Sequence, residues 1–321
     1  WAERANAMRQ LAADHGEYVV AVLLPRLESG SSETRAAAME WMRRLGTQAV
    51  LPLIQALEHD SPMITANALT VLGQIGDPRA QPYIAAYGAP GYPIEQVRDA
   101  AMRAMADLGV GLFAGDAATQ MLALAEAYYR GDKAVVDPFR GVYTVWHFAD
   151  GELVAHEVTR DVYHLKLAEE VLFDLLEMEP ANGPARVLLA SVLIAQAEAG
   201  GASDEETPLN NAAVLAAAEG PEILNQVVSK ALADGRPEVA AGAVRVLASI
   251  VNAGNFRAPN GLTQAVGAPY KEVRFAAALA LATIDPAMDY PERSMVVPAL
   301  MEALSQDSVR PVVVIDAQAE T

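Results

Sequence analysis

Two histidines and the aromatic residues beside them are the side chains best suited to chemistry in this sequence. His147 and His156 both lie in the segment YTVWHFADGELVAHEVT, residues 143–159. An imidazole exchanges a proton near neutral pH and binds metal ions, so a close pair is a candidate ligand or metal site. Whether the pair is close depends on how this segment folds.

The alternation of apolar and polar residues in this segment predicts a β-hairpin. The Asp-Gly dipeptide at 150–151 is typical of a two-residue type I′ turn, because both positions require positive φ. This turn sets the register of the two strands. The predicted pairs are Phe148 with Leu153, His147 with Val154, Trp146 with Ala155, and Val145 with His156.

The two faces of the predicted hairpin differ in composition. Trp146, Phe148 and Leu153 share one face, with Thr144 and Glu157 at its outer end, and their apolar area favours packing on helices. The second face is the candidate binding surface. It carries Tyr143, Val145, His147, Val154, His156 and Val158.

The two histidines have two interpretations. A metal site needs a third ligand, such as Glu152 or His164, and the spacing does not require one. Otherwise His147 and His156 are ordinary half-exposed strand residues. No metal ligand is therefore assigned.

Aromatic residues are concentrated around the hairpin. They are enriched at binding hot spots, and they equally supply large area for core packing. The aromatic residues of this region are Tyr128, Tyr129, Phe139, Tyr143, Trp146, Phe148 and Tyr163. The candidate residues for binding a protein or ligand are Tyr143, Trp146, His147, His156, Tyr128 and Tyr163.

Composition limits the class of partner. The net charge is −18, which disfavours nucleic acid and anionic lipid, because binding phosphate requires clustered Lys and Arg. Basic or neutral protein partners remain. No apolar run reaches the ~18 residues that span a bilayer, so we expect no membrane insertion.

Several kinds of catalytic site are also disfavoured. The chain has no Cys, which excludes disulfides, thiolate catalysis and Cys-ligated metals. Phosphate-binding loops, dinucleotide-binding glycines and nucleophile elbows do not occur, so no catalytic residue or cofactor is assigned. The chain starts at Trp1, so we expect that a leader or an upstream domain has been removed. The cytoplasm and the periplasm both remain possible compartments.

The chain contains internal repeats of Ala-rich amphipathic helix. Apolar residues recur at helical spacing, and Gly, Asp and Pro punctuate the joints. The repeated stretches are 33–46, 62–77, 95–109, 237–250 and 271–286. Shorter apolar helices precede four of them, at 49–60, 79–88, 222–235 and 261–269.

These stretches resemble the HEAT repeat family, whose second helix carries the pattern V-R-x-x-A-x-x-A-L. Val97-Arg98 with Ala101 matches it, as does Val273-Arg274 with Ala277. The positions at 64–65 and 239–240 depart from it, because neither has the Arg. The resemblance covers about 17–111 and 220–305 and implies helix pairs stacked into a solenoid.

The middle and the carboxyl end resemble other families. The stretch AEEVLFDLLEMEPANGPARVLLASVLIAQ (168–196) is similar to tetratricopeptide repeats, which makes the hairpin an insertion between two helices of one repeat. RPVVVIDAQAET (310–321) resembles the first strand of a receiver domain, although Asp316 is followed by Ala317 rather than by a second acid.

The sequence therefore predicts an all-α protein, a right-handed α-solenoid with one inserted β-hairpin. The predicted parts are HEAT-like repeats at 1–116, tetratricopeptide-like helices at 117–219 with the hairpin at 142–159, HEAT-like repeats at 220–308, and a truncated α/β strand at 309–321.

We expect a non-catalytic scaffold that binds a protein partner, since stacked repeats create long binding surfaces. Two alternatives remain: a regulatory or sensory module acting on the carboxyl-terminal domain, and a HEAT-type lyase or enzyme subunit with a site near the hairpin.

Overall fold

The computed structural model describes residues 14–109, 114–137, 141–199 and 209–305, together with Gln10. The chain divides into two compact units, residues 1–212 and 213–321. Each unit is built from packed pairs of helices. The finer division expected from the sequence, with boundaries after residues 116, 219 and 308, stays a prediction.

The first unit contains most of the helices and the hairpin. Its α-helices are α1 (Val19–Leu23), α2 (Ser32–Leu45), α3 (Val50–Gln55), α4 (Pro62–Ile75), α5 (Gln81–Tyr87), α6 (Glu95–Leu108), α7 (Ala117–Tyr129), α8 (Arg160–Met178) and α9 (Gly183–Ala199). The strands are β1 (Tyr143–Ala149) and β2 (Glu152–Val158). Short 3-10 turns occupy Gly16–Tyr18, Leu24–Glu28, Gly46–Ala49, Ala56–Glu58 and Pro78–Ala80.

The second unit is a smaller stack of helices. The helix α10 (Leu209–Ala218) spans the division, and it is followed by α11 (Gly220–Ala233), α12 (Pro237–Ile250), α13 (Gly261–Val266), α14 (Lys271–Ile284) and α15 (Arg293–Leu304). Each helix from α11 onward packs against the next, and α12 also packs against α14. Their Ala, Val and Leu side chains form the core of this unit.

Local sequence signals explain where several helices begin and end. The Ser31 hydroxyl caps α2 by accepting from the Thr34 amide at 3.3 Å, and Asp116 caps α7 through the Thr119 amide at 2.8 Å. Gly76 follows α4 in the left-handed conformation that favours glycine, with φ of 75°. These caps satisfy backbone groups that a helix end leaves unpaired.

The repeats of the first unit stack through their second helices. The helix α4 packs between α2 and α6. The approach of α4 to α6 is close at Gly73, where an added Cβ would lie 2.5 Å from the Ala104 Cα. Small residues at this crossing let the two backbones approach, which explains why Ala and Gly are so frequent in these helices.

The hairpin has the predicted register. Val145 pairs with His156, Trp146 with Ala155, and the turn falls at 150–151. The helices α7 and α8 pack against each other, so the hairpin is inserted between two partner helices, as expected. The strand β1 packs against both α3 and α8.

The structure confirms the predicted fold class, a mostly helical solenoid with one inserted hairpin. All five repeated stretches begin and end within about two residues of α2, α4, α6, α12 and α14. Among the described residues, none of the helices combines the length and the apolar character that crossing a bilayer requires. The receiver-like strand at 309–321 lies outside the described residues.

Candidate functional site

The apolar face of the hairpin packs on the helices, as predicted from its alternation. The Trp146 side chain is 3% exposed, and the Tyr18 ring meets it edge-on at 5.2 Å between centroids. The hydroxyl groups of Tyr18 and Thr144 are 3.4 Å apart. Toward the turn, the ring of Phe148 lies 5.4 Å from that of His59.

The second face of the hairpin is divided between its two strands. On β1, Val145 is buried, and Tyr143 contacts the ring of Tyr163 on α8 at 5.1 Å. On β2, Val154 and His156 are exposed. The second face, the candidate binding surface, is therefore exposed on β2 alone, because α8 covers the β1 half.

The structure brings the two candidate histidines together. The His147 and His156 rings are 5.1 Å apart, as the predicted register required. His147 Nδ1 also lies 3.3 Å from Glu170 Oε1 on α8, a neighbour that the sequence analysis did not identify. Of the proposed additional ligands, Glu152 is exposed next to the turn and His164 is half-buried on α8. In the described part of the chain, no three His, Asp or Glu side chains are grouped so that they can hold a metal ion.

The remaining candidate aromatics belong to the core. Tyr128 and Tyr163 are each 2% exposed, so their rings serve packing between α7, α8 and the hairpin. The helices offer mainly Ala, and large rings fill the space where the hairpin meets them. Phe139 lies outside the described residues.

A group of acidic side chains next to the hairpin was not predicted. Three of them, Glu170, Asp174 and Glu177, lie at helical spacing on α8 and therefore share one stripe of that helix. The fourth, Glu58, ends the 3-10 turn that follows α3. We call these four residues the carboxylate cluster.

Burial and mutual repulsion make the carboxylate cluster electrostatically unusual. Burial, followed by the charges of Asp174, Glu169 and Glu58, raises the pKa of the Glu170 carboxyl to about 8. Partial burial and the charges of Asp174 and Glu177 raise the pKa of Glu58 to about 7, although the residue keeps an exposed surface. At neutral pH these carboxyls are therefore partly protonated, although ordinary surface carboxyls are ionised.

Asp174 is held between a hydroxyl and its acidic neighbours. Burial raises its pKa to about 6, the hydrogen bond from Tyr83 opposes this, and the charge of Glu177 adds to it. The Tyr83 hydroxyl donates to Asp174 Oδ2 at 3.0 Å. Beside it, the Tyr87 hydroxyl donates to the Leu57 carbonyl at 2.8 Å. Two tyrosines of α5 therefore line one side of the cluster.

The surroundings of His147 and Glu170 shift both pKa values in the directions that oppose an ion pair. Burial, with smaller contributions from His156 and Lys166, lowers the pKa of His147. Because the pKa of Glu170 is raised at the same time, an ion pair between the two side chains is disfavoured.

The cation beside the cluster, Lys166, already has a hydrogen-bond partner. Lys166 Nζ donates to Glu169 Oε2 at 2.6 Å, and Gln196 Nε2 donates to the same oxygen at 2.8 Å. Lys166 lowers the pKa of Glu170 only as the smallest of the influences acting on it. The carboxylate cluster therefore keeps much of its negative potential when it ionises.

A small cavity lies behind the hairpin. Its volume is about 20 Å³, and Trp146, Glu170 and Gln55 contribute polar groups to a mostly apolar lining. The buried Nε1 of Trp146 has no hydrogen-bond acceptor among the described residues. This volume is far below the ~300 Å³ of a typical small-molecule pocket.

The sequence contains only a partial signal for the residues of the carboxylate cluster. The helical spacing of Glu170, Asp174 and Glu177 was visible, but a charge stripe usually indicates a solvated helix face. Their proximity to Glu58, Tyr83 and the hairpin depends on the stacking of repeats that are distant in sequence.

Part of the chain is similar to a family of known proteins. Residues 20–106, which extend from α1 to α6, match the HEAT repeats family. No curated protein matches the chain. The matched stretch includes Glu58 and Tyr83, while the hairpin and α8 follow it in the sequence.

Proposed function

We propose that this chain, a mostly helical protein with HEAT repeats in its first unit, is a non-catalytic scaffold that binds a protein partner. HEAT repeats commonly mediate protein–protein interaction, which supports this general role. The surface that we propose for the partner is the carboxylate cluster with the adjoining tyrosines of α5.

One observation carries the proposal: the cluster gathers four acidic side chains, and Lys166, the cation that acts on Glu170, is hydrogen bonded to Glu169. Burial, with the charges of neighbouring carboxyls, raises the pKa values of Glu170 and Asp174 and lowers stability at neutral pH, a cost that is frequent at functional sites. A partner segment with exposed Lys or Arg would relieve this repulsion. The net charge of −18 would also accelerate its association.

The cavity beside Glu170 is too small to hold a substrate. Catalysis by Glu170 and His147 would require space for a substrate beside them, and the adjoining cavity is only about 20 Å³. The exposed edge of the cluster, at Glu58 and Glu177, instead offers side chains to a surface that approaches from outside.

The test is quantitative affinity capture from the native organism with two matched double variants. Asp174→Asn with Glu177→Gln removes charge from the cluster, whereas Asp99→Asn with Asp107→Asn removes the same charge from exposed positions on α6. We expect at least one protein to be retained by the wild type and the α6 variant and depleted about tenfold on the cluster variant. Recovery of the same proteins by all three would contradict the proposal.

A further inference from the structure

The second strand of the hairpin has an open edge. The first strand, β1, is closed in, because Thr144, Val145 and Trp146 are buried. Among the described elements, β2 packs extensively only against β1, and its side chains are all exposed or half-buried. The side of β2 that faces away from β1 is therefore accessible along its length.

The register of the hairpin identifies the backbone groups on this edge. The two-residue turn makes Ala149 and Glu152 a pair that exchanges both backbone hydrogen bonds, and such pairs alternate along an antiparallel ladder. The backbone N–H and C=O groups of Leu153, Ala155 and Glu157 consequently point away from β1. In the described part of the chain, no hydrogen bond reaches these outward groups. The edge therefore offers donors and acceptors that are free to pair with another strand.

The edge lacks the features that usually prevent strand pairing. Its register is continuous, so no bulge twists it away, and its seven residues include neither Pro nor Lys. Val154, in the middle of the strand, is 36% exposed and offers an apolar contact. A regular and uncovered edge of this kind is a template for a further strand.

Acidic side chains at both ends of the edge determine which strand fits. Asp150 and Glu152 are exposed at the turn, and Glu157 and Asp161 are exposed at the other end. Among the described residues, no ion pair engages these four carboxylates. Arg160 is the only cation in this stretch of the sequence. The charge therefore favours an incoming strand with Lys or Arg at its ends, and it disfavours a second copy of this chain, whose edge carries the same acids.

We propose that β2 binds an extended protein segment by strand addition, and that this segment has basic side chains at its ends and β-branched side chains between them. The segment extends the hairpin to a three-stranded sheet, and its backbone bonds to Leu153, Ala155 and Glu157. Its β-branched side chains pack beside Val154. This inference goes beyond the proposed function, because the surface is a backbone edge on β2 rather than the carboxylate cluster.

The experiment compares two synthetic peptides by isothermal titration calorimetry. Both have the sequence Thr-Lys-Val-Thr-Val-Thr-Lys with blocked ends, which matches β2 in length and places Lys opposite Glu157 and Glu152 in an antiparallel pairing. In the second peptide, the alternate residues whose N–H groups face β2 are N-methylated, so the charge is unchanged and the donors are lost. We expect the unmethylated peptide to bind at least about tenfold more tightly, because several hydrogen bonds depend on those donors.

A pair of variants tests the same contact from the protein side. Ala155→Pro removes an outward N–H, and Pro is tolerated at such an edge position because the ladder bonds to β1 belong to the neighbouring residues. Ala155→Ser keeps the N–H and is the matched control. We expect Ala155→Pro to weaken binding of the unmethylated peptide about tenfold and Ala155→Ser to leave it unchanged. Constant hydrogen-exchange protection of the buried helix α9 shows that each variant is folded.

Three results would overturn the inference. The first is no binding of the unmethylated peptide to the wild type. The second is equal affinity for the two peptides, because charge alone, as at the carboxylate cluster, does not distinguish them. The third is a dimer in analytical ultracentrifugation that Ala155→Pro abolishes, which would assign the edge to a second copy of the chain. If Ala155→Pro is unfolded, the comparison of the two peptides on the wild type decides alone.

Discussion

At the residue scale, the environment of Asp174 shows how packing sets charge in this protein. Its carboxylate accepts a hydrogen bond from Tyr83, which favours the ionised form, while burial and Glu177 favour the protonated form. Burial is the largest of these influences, so the pKa of Asp174 rises to about 6 despite the hydrogen bond.

Removing the Tyr83 hydroxyl should shift this balance. We expect Tyr83→Phe to raise the pKa of Asp174 above about 6, because the hydrogen bond that lowers it is lost. Stability near pH 8 should fall by about 1 kcal/mol. Carboxyl carbon NMR titration measures the first effect and urea denaturation the second.

Tyr92→Phe is the matched control for this change. The Tyr92 ring packs on Tyr87 at 5.0 Å, and its ring contact survives loss of the hydroxyl. If Asp174 titrates at the same pH in Tyr83→Phe and in the wild type, the hydrogen bond does not influence its charge.

Single residues were predictable from sequence only where local pattern decides their place. The closeness of His147 and His156 followed from the Asp-Gly turn, and the burial of Trp146 followed from alternation. The role of Glu170 did not follow from either rule. Burial raises its pKa most, and one of the charges that add to this, Glu58, comes from a distant part of the sequence.

At the element scale, the crossing of α4 and α6 determines how closely the repeats stack. Gly73 on α4 faces the Ala104 backbone on α6, and a Cβ at Gly73 would lie 2.5 Å from the Ala104 Cα. No real Cβ contact is that short, so any side chain at this position forces the helices apart.

Gly73→Ala should therefore destabilise the first unit although alanine favours helix formation. We expect a loss of about 1–3 kcal/mol in the free energy of unfolding, which is typical of overpacking. Urea denaturation followed by Trp fluorescence measures it, since all three Trp residues belong to the first unit.

Gly91→Ala provides the comparison, because an added Cβ at Gly91 meets no atom within 4 Å. A Gly73→Ala protein as stable as the Gly91→Ala protein would show that the helices separate at no cost.

The helices themselves were predictable because periodicity and helix-ending residues are local signals. The position of β1 between α3 and α8 was not, since alternation identifies the faces of a hairpin but not the elements that cover them. The strand β1 packs on two sides, because both Trp146 and Val145 are buried.

At the scale of the whole molecule, the raised pKa values predict an unusual dependence of stability on pH. A carboxyl whose pKa is raised on folding stabilises the folded state at low pH, and that stability is lost as the pH rises through the folded value. Glu170, Glu58 and Asp174 all act in this direction, with folded values of about 8, 7 and 6. His147, whose pKa is lowered, acts oppositely and only below its ordinary value of 6.5.

We therefore expect the unfolding free energy of the first unit to fall between pH 5 and pH 8. After allowance for solvent screening, the decrease should be about 3 kcal/mol, and Glu170→Gln should make it shallower. Urea denaturation followed by Trp fluorescence across this range tests the sign. Stability that increases with pH in this window would mean that the cluster is neutralised by other groups.

Site-specific photo-crosslinking tests directly whether a basic protein segment binds at the carboxylate cluster. Phe173 is exposed on α8 between Glu170 and Glu177, and replacing it with p-benzoylphenylalanine keeps an aromatic side chain there. The same amino acid at exposed Met102 on α6 is the control position.

We expect crosslinks from position 173 to partner peptides rich in Lys or Arg. These crosslinks should be lost when Asp174→Asn and Glu177→Gln are added. Crosslinks that form equally from positions 173 and 102, or that persist without the two carboxylates, would contradict it.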